Sequence, residues 1–215
     1  MKVVKLIIIG SGALAEEVHW LAQEVHPSCS MTIRVVGFYD DSQHGLKELC
    51  KMPVISNING LLEVAGGASH FVCAIGDNAT RRRVTQQIES ATQLEPFSII
   101  HSTVIMGHSV NIGQGSVVEP YVVIGPNATI GGHSIINTGS SIGHDCAMGA
   151  FVNICPGVRV GGFAKIGDEA LLGSNSVIYP GVCVGKSATV GAGSFVIRSV
   201  GEGKSVFGNP AKLLN

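Results

Sequence analysis

Neither sign of charge is in excess: 14 Lys and Arg stand against 15 Asp and Glu, a net charge of -1 over 215 residues. So balanced a chain has no electrostatic footprint for nucleic acid or for an anionic membrane. Hydrophobic residues make up 45% of the sequence, yet no apolar run approaches the ~20 residues that span a bilayer. The apolar share is Val, Ile and Ala, dispersed along the chain with Gly. Met1–Ile9 is too short for a signal peptide and leads straight into a motif, so a cytoplasmic protein is expected. There is no Cys-x-x-Cys pair. Cys29, Cys50, Cys73, Cys146, Cys155 and Cys183 are scattered through a chain too long to need staples, which points to free thiols in a reducing compartment.

What is present is a period of six. From Met106 to Val196 every sixth residue is aliphatic (Ile112, Val118, Ile124, Ile130, Ile136, Ile142, Met148, Ile154 and onward), without an insertion. Two residues before each stands a small side chain, as at Ser116, Ala128, Ser134, Ser140, Cys146 and Ala164. The residue after the aliphatic one is often glycine, as at Gly125, Gly143, Gly161 and Gly173. Six fits neither a helix at 3.6 nor plain strand alternation. It fits a short strand and a turn, repeated, with the aliphatic residue inward and the small one in a crowded corner. The glycine is expected to supply a turn geometry that a Cβ would oppose. Three such units close one triangular coil, and stacked coils bury a continuous core.

The first half reads differently. Val3–Ile9 is a continuous apolar strand followed by Gly10-Ser11-Gly12, and Ala13–Val25 has helical spacing. Strands over Ile33–Phe38 and His70–Ile75 follow; the second opens a helix through Ile88. This predicts a small Rossmann-like α/β domain with a parallel sheet, whose ligand belongs at the carboxyl ends of the strands. A glycine turn leading into a helix suits a phosphate. The third glycine of the dinucleotide fingerprint is missing, replaced by Ala15, and the unit is too short for two mononucleotide halves. A nucleotide-sugar or other phosphate ligand is therefore favoured over NAD, the alternative being a glycine turn that only closes the strand–helix packing. Arg81, Arg82 and Arg83 read as a solvated helix face. The expected domains are residues 1–95 and 96–215.

In the repeat, most outward side chains are merely solvated. The departure with chemical content is Ile142-Gly143-His144-Asp145-Cys146. A histidine titrates near neutral pH, and an adjacent carboxylate favours its protonated form, which suits a general base; two residues alone read equally well as a solvated surface pair. Cys146 falls in the small-residue column and reads as packing. The run Asn137–Cys146, the segments Phe151–Gly157 (FVNICPG) and Phe207–Lys212 (FGNPAK), and the N-terminal Gly10-Ser11-Gly12-Ala13, Asp40-Asp41 and Ile75-Gly76-Asp77-Asn78 resemble, in order, sugar acetyltransferases of the PglD/NeuD type. The resemblance covers nearly the whole chain.

That resemblance implies a left-handed parallel β-helix of hexapeptide repeats behind the α/β domain, assembled as a homotrimer with the active site between neighbouring prisms. It implies acetyl-CoA as co-substrate, without a metal, and a nucleotide-linked amino sugar as acceptor. His144 would be the base and Asp145 the carboxylate that strengthens it. Gly12, Ala13, Leu14, Asp40, Asp41 and Gly76 would line the nucleotide-sugar site, and acetyl-CoA would run near Ser174 and Ala192. Asn153 stands where many members have a second histidine, and its amide would serve the thioester carbonyl. Leu14 stands where many have a histidine in the glycine turn. The alternatives are O-acetylation of a sialic acid or related sugar, and a non-catalytic sugar-binding or structural β-helix. A zinc site of the γ-carbonic-anhydrase kind would need three of His101, His108, His133 and His144 to converge across subunits.

Overall fold

In the computed structural model, which describes residues 2–24, 31–42, 45–65 and 67–214, the chain divides into two compact units, Met1–Ser102 and Thr103–Asn215. Val25 and Cys29 lie outside the described residues.

The first unit runs β1 (Lys2–Ile9), α1 (Ala13–Leu21), β2 (Met31–Tyr39), β3 (Glu48–Leu49), β4 (Met52–Ile55), α2 (Ile58–Ala65), β5 (His70–Cys73), α3 (Asn78–Ala91) and β6 (Glu95–Pro96). The sheet order is β3-β4-β2-β1-β5-β6. All neighbours are parallel except β3 and β4. In β1, Leu6, Ile7, Ile8 and Ile9 are all buried, as a central parallel strand covered on both faces requires. One face carries the core of Ile7, Ile9, Phe71, Leu61, Val84 and Ile88. Strand order reverses at β1, whose neighbours are β2 and β5. The carboxyl end of β1 is therefore the crevice of the unit. Glu95-Pro96 pairs with His70-Phe71, so the expected break at 95/96 falls within this sheet.

The second unit is the parallel β-helix. Two-residue strands recur every six residues, and each pairs with the strand one coil on: Val117 with Ile135, Val123 with Ser141, Thr129 with Ala147. Three sides result. Val117, Ile135, Asn153, Leu171 and Thr189 stack on the first side. Val123, Ser141, Arg159, Val177 and Phe195 stack on the second. Thr129, Ala147, Lys165 and Cys183 stack on the third. The aliphatic column is at most 5% exposed from Val118 to Val196, whereas Met106, in the first coil, is 37% exposed. Small polar residues fill the corners by donating to carbonyls: Ser116 Oγ to Gly113 O at 2.8 Å, Ser140 Oγ to Cys155 O at 3.0 Å. Cys146 is buried in the same column and its thiol reaches Gly161 O at 3.1 Å.

The glycines do a different job from the one expected. The left-handed residue of each corner is two positions after the glycine column. Asn127, His133, Asp145, Phe151, Phe163 and Glu169 sit there with φ between 56° and 60°. The glycines themselves are needed because the next coil is too close. A Cβ on Gly125 would lie 2.6 Å from His144 N, and one on Gly161 would lie 2.6 Å from Pro180 N.

Candidate active site

The crevice at the end of β1 is a cleft of about 390 Å³, within the first unit. Gly12, Ala13, Leu14, Asp40, Asp41 and Gly76 all line it, together with Thr80 and Arg83. The glycines divide by role. Gly10 has φ 108°, and a Cβ there would meet Ala74 O at 2.9 Å, so this glycine closes the strand-to-helix turn. Gly12 and Gly76 have no atom within 4 Å of where a Cβ would stand; they keep the cleft open. Helix α1 is shorter than its spacing suggests, and Leu14 faces the cleft while Ala15, Val18 and Leu21 are buried.

Asp40 is committed to the protein itself. Its Oδ2 accepts from Ser11 N–H at 3.0 Å and Ser11 Oγ at 2.7 Å; its Oδ1 accepts from Ser42 N–H at 3.0 Å and Ser42 Oγ at 2.6 Å. Partial burial raises its carboxyl pKa, but these four hydrogen bonds outweigh it and hold the group below the ordinary carboxylate range. Asp40 thus ties the turn after β1 to the turn after β2. Asp41 beside it is exposed.

The arginine run is not one solvated face. Arg81 is fully buried. Its guanidinium donates to Ile75 O at 2.8 Å, Gly76 O at 3.1 Å and Asn78 Oδ1 at 2.8 Å, which fixes the turn carrying Gly76. A helix turns about 100° per residue, so three consecutive arginines cannot share one environment. Asp77 caps α3 by accepting from Thr80 N–H at 2.8 Å.

In the second unit, His144 and Asp145 form the corner between the second and third sides. His144 Nδ1 lies 2.7 Å from Asp145 Oδ2, with the ring 56% and the carboxylate 35% exposed. The left-handed backbone at Asp145 (φ 56°) turns the carboxylate back onto the preceding ring. Asn127, one coil earlier, donates to Asp145 Oδ1 at 3.1 Å. Phe163, one coil later, meets the ring edge-on at 4.9 Å. The hydrogen bond to His144, then that from Asn127, depress the Asp145 pKa. An ionised acceptor at Nδ1 fixes the tautomer with its proton there, leaving the Nε2 lone pair for chemistry. Gly162 makes room for that nitrogen: a Cβ on it would lie 2.7 Å from Nε2. Asn127 and Gly162 are the residues sequence reasoning missed. The only signal for them was the count of eighteen residues, one coil, from Asp145 and His144.

The residues expected for acetyl-CoA lie elsewhere on the prism. Ser174 and Ala192 occupy successive coils of the corner between the first and second sides, joined by Gly193 N–H donating to Ser174 O at 2.8 Å. Asn153 stands on the adjoining first side, where its Oδ1 accepts from Asn137 Nδ2 at 3.2 Å. The whole second side separates this group from His144 along the coil. Among the described residues no three His, Cys, Asp or Glu converge to hold a metal ion; His133 instead stacks on Phe151 at 5.0 Å.

Comparison with known proteins covers both units. The PglD N-terminal domain family matches residues 5–88, and the hexapeptide repeat of succinyl-transferase matches residues 121–154 and 164–198. Perosamine N-acetyltransferase from Caulobacter crescentus, solved as a histidine-to-asparagine mutant with CoA and GDP-perosamine, is 28% identical with a TM-score of 0.89, over 98% of this chain and 97% of that one. The acetyltransferase domain of PglB from Neisseria gonorrhoeae FA1090, solved with acetyl coenzyme A, is 30% identical with a TM-score of 0.87, over 98% of each chain. GDP-perosamine N-acetyltransferase of Escherichia coli O157:H7 is 33% identical over 140 residues, 65% of this chain. The match spans 62% of the length of that curated protein.

Proposed function

Since the chain belongs to the PglD/NeuD family of sugar acetyltransferases, we propose that it moves the acetyl group of acetyl-CoA onto the amino group of a nucleotide-linked amino sugar, with His144 as general base. One observation carries the assignment of the base: an exposed imidazole anchored at Nδ1 by Asp145, itself held by Asn127. The acceptor's amine attacks the thioester carbonyl as Nε2 takes its proton. The C–N bond forms, the C–S bond breaks, and the proton passes to the departing thiolate of coenzyme A. Holding both substrates in register replaces a bimolecular encounter by an oriented one. Asn153, Ser174 and Ala192 form the acetyl-CoA side, and Gly12, Ala13, Leu14, Asp41 and Gly76 the nucleotide-sugar side, with Asp40 bracing the latter. An amine acceptor is preferred over a hydroxyl because the relatives from Caulobacter crescentus and Escherichia coli are named for N-acetylation.

The same geometry supports a shared site. His144 and the Ser174–Ala192 group sit on different corners of one prism, an arrangement that a second copy would complete. A homotrimer with its sites between prisms does this. The test is release of coenzyme A thiol with UDP-, GDP- and dTDP-linked amino sugars. Turnover with one of them, falling about 10²- to 10⁴-fold in His144→Ala, is expected. Equal rates in the two proteins would remove His144 from the role.

A further inference from the structure

The nucleotide cleft holds three charged side chains, Asp40, Asp41 and Arg83. Asp40 is spent on Ser11 and Ser42. Arg83 is exposed and makes no hydrogen bond or ion pair within the described residues. It stands three residues after Thr80, on the same face of α3, and both line the cleft. Ala13 and Leu14, the first helical residues of α1, line it as well. Their amides precede the first intrahelical bond and have no acceptor in the described chain, as at any helix start. The cleft therefore presents an unpaired guanidinium and free amides, together with the exposed carboxylate of Asp41, which accepts from the Tyr39 hydroxyl and keeps further lone pairs for a ligand.

We propose that Arg83 takes the diphosphate of the nucleotide sugar, leaving Asp41 to the donor groups of base or ribose. This rests on the nucleotide-sugar reading of the cleft. A guanidinium meets phosphate oxygens two at a time. A carboxylate beside a phosphate repels it and accepts only from N–H or O–H donors. A nucleotide has these two chemistries at its two ends, so the charges sort its direction in the cleft. The empty Cβ positions of Gly12 and Gly76 leave the turns free to approach the ligand.

Calorimetric titration of the full chain with UDP, GDP and dTDP, and with uridine, guanosine and thymidine, tests this. Arg83→Gln is expected to weaken the nucleoside diphosphate that binds by roughly 10- to 100-fold, with the matching nucleoside unchanged. Arg83→Lys should fall between, since it restores charge but not the fork, and Arg82→Gln should bind as wild type. Wild-type binding that Arg83→Gln leaves intact, or an equal loss for diphosphate and nucleoside, overturns the role of Arg83 and spares the cleft. Failure of the wild type to bind any of the three diphosphates overturns the nucleotide reading and this proposal together.

Discussion

Gly162→Ala separates the position of the His144 ring from the integrity of the coil. Gly162 is not in the left-handed region, so alanine fits its backbone. The new Cβ would lie 2.7 Å from His144 Nε2, 2.9 Å from Cε1 and 3.1 Å from Cδ2. Ordinary contacts to carbon begin near 3.5 Å, so the ring must retreat by roughly an ångström. It can do so cheaply, because 56% of it is exposed and nothing buried moves. Glycine-to-alanine also restricts the unfolded chain, a gain of about 0.4–1 kcal/mol. Stability should therefore hold or rise slightly. What suffers is the alignment of Nε2, through the 2.7 Å bond to Asp145 and the edge contact with Phe163. A misplacement of that size costs on the order of 10²-fold, or about 2.7 kcal/mol of barrier. Gly143→Ala is the contrast: its Cβ would meet Gly162 N at 2.5 Å, backbone against backbone, and should destabilise the coil. The assay is coenzyme A thiol release beside a thermal melt. Gly162→Ala with wild-type kcat, or with activity lost only in step with its melting temperature, would refute the reasoning.

Two further outcomes follow from the proposed nucleotide cleft. Asp40 has its carboxyl pKa depressed, so it contributes stability above the ordinary aspartate range that is lost as pH falls through the folded value. Asp40→Asn should melt earlier at neutral pH and lose less on acidification from about pH 5 to pH 2; parallel pH profiles of melting temperature for the two proteins would contradict the bracing role. Gly12→Ala puts a methyl group into open space, so it should fold as wild type yet bind UDP, GDP or dTDP at least about tenfold more weakly, the order of one lost polar contact; unchanged affinity by calorimetry would remove the turn from the binding site.

The prism was legible because each of its columns repeats one physical demand, and sixteen repetitions leave little room for chance. The His144-Asp145 pair was legible because its two members are neighbours in sequence. Asn127 was not, because its contact spans a full coil and an asparagine in a left-handed corner needs no functional reason. The glycine column misled for a related cause. Sequence shows that a Cβ is refused, but not whether backbone dihedral or a neighbouring coil refuses it; here the coil does, and left-handed geometry falls on Asp145, Phe163 and their equivalents. Arg81 was read as solvated because a run of three like charges looks uniform in sequence. The carbonyls of Ile75 and Gly76 that justify burying it become neighbours only when the turn closes.

The separation of His144 from Ala192 across one side of the prism allows a test of shared sites that needs no new structure. His144→Ala removes the base, and Ala192→Arg blocks the acetyl-CoA corner, where Ala192 is exposed. Alone, His144→Ala should keep at most about a hundredth of the wild-type activity, and Ala192→Arg should be inactive. In the proposed closed ring of three, every interface would join the His144 corner of one copy to the Ala192 corner of the next. Refolding the two variants together in equal amounts should place an intact His144 opposite an intact Ala192 in about a quarter of the interfaces. Activity should then return to about a quarter of the wild-type value per site, at least about 25-fold above either parent. If base and acetyl-CoA corner served the same reaction within one chain, no mixed assembly would contain a complete site and none would return. Mixed rings that form, as shown by a tag on one variant retaining the other, but that stay inactive would therefore refute the shared site.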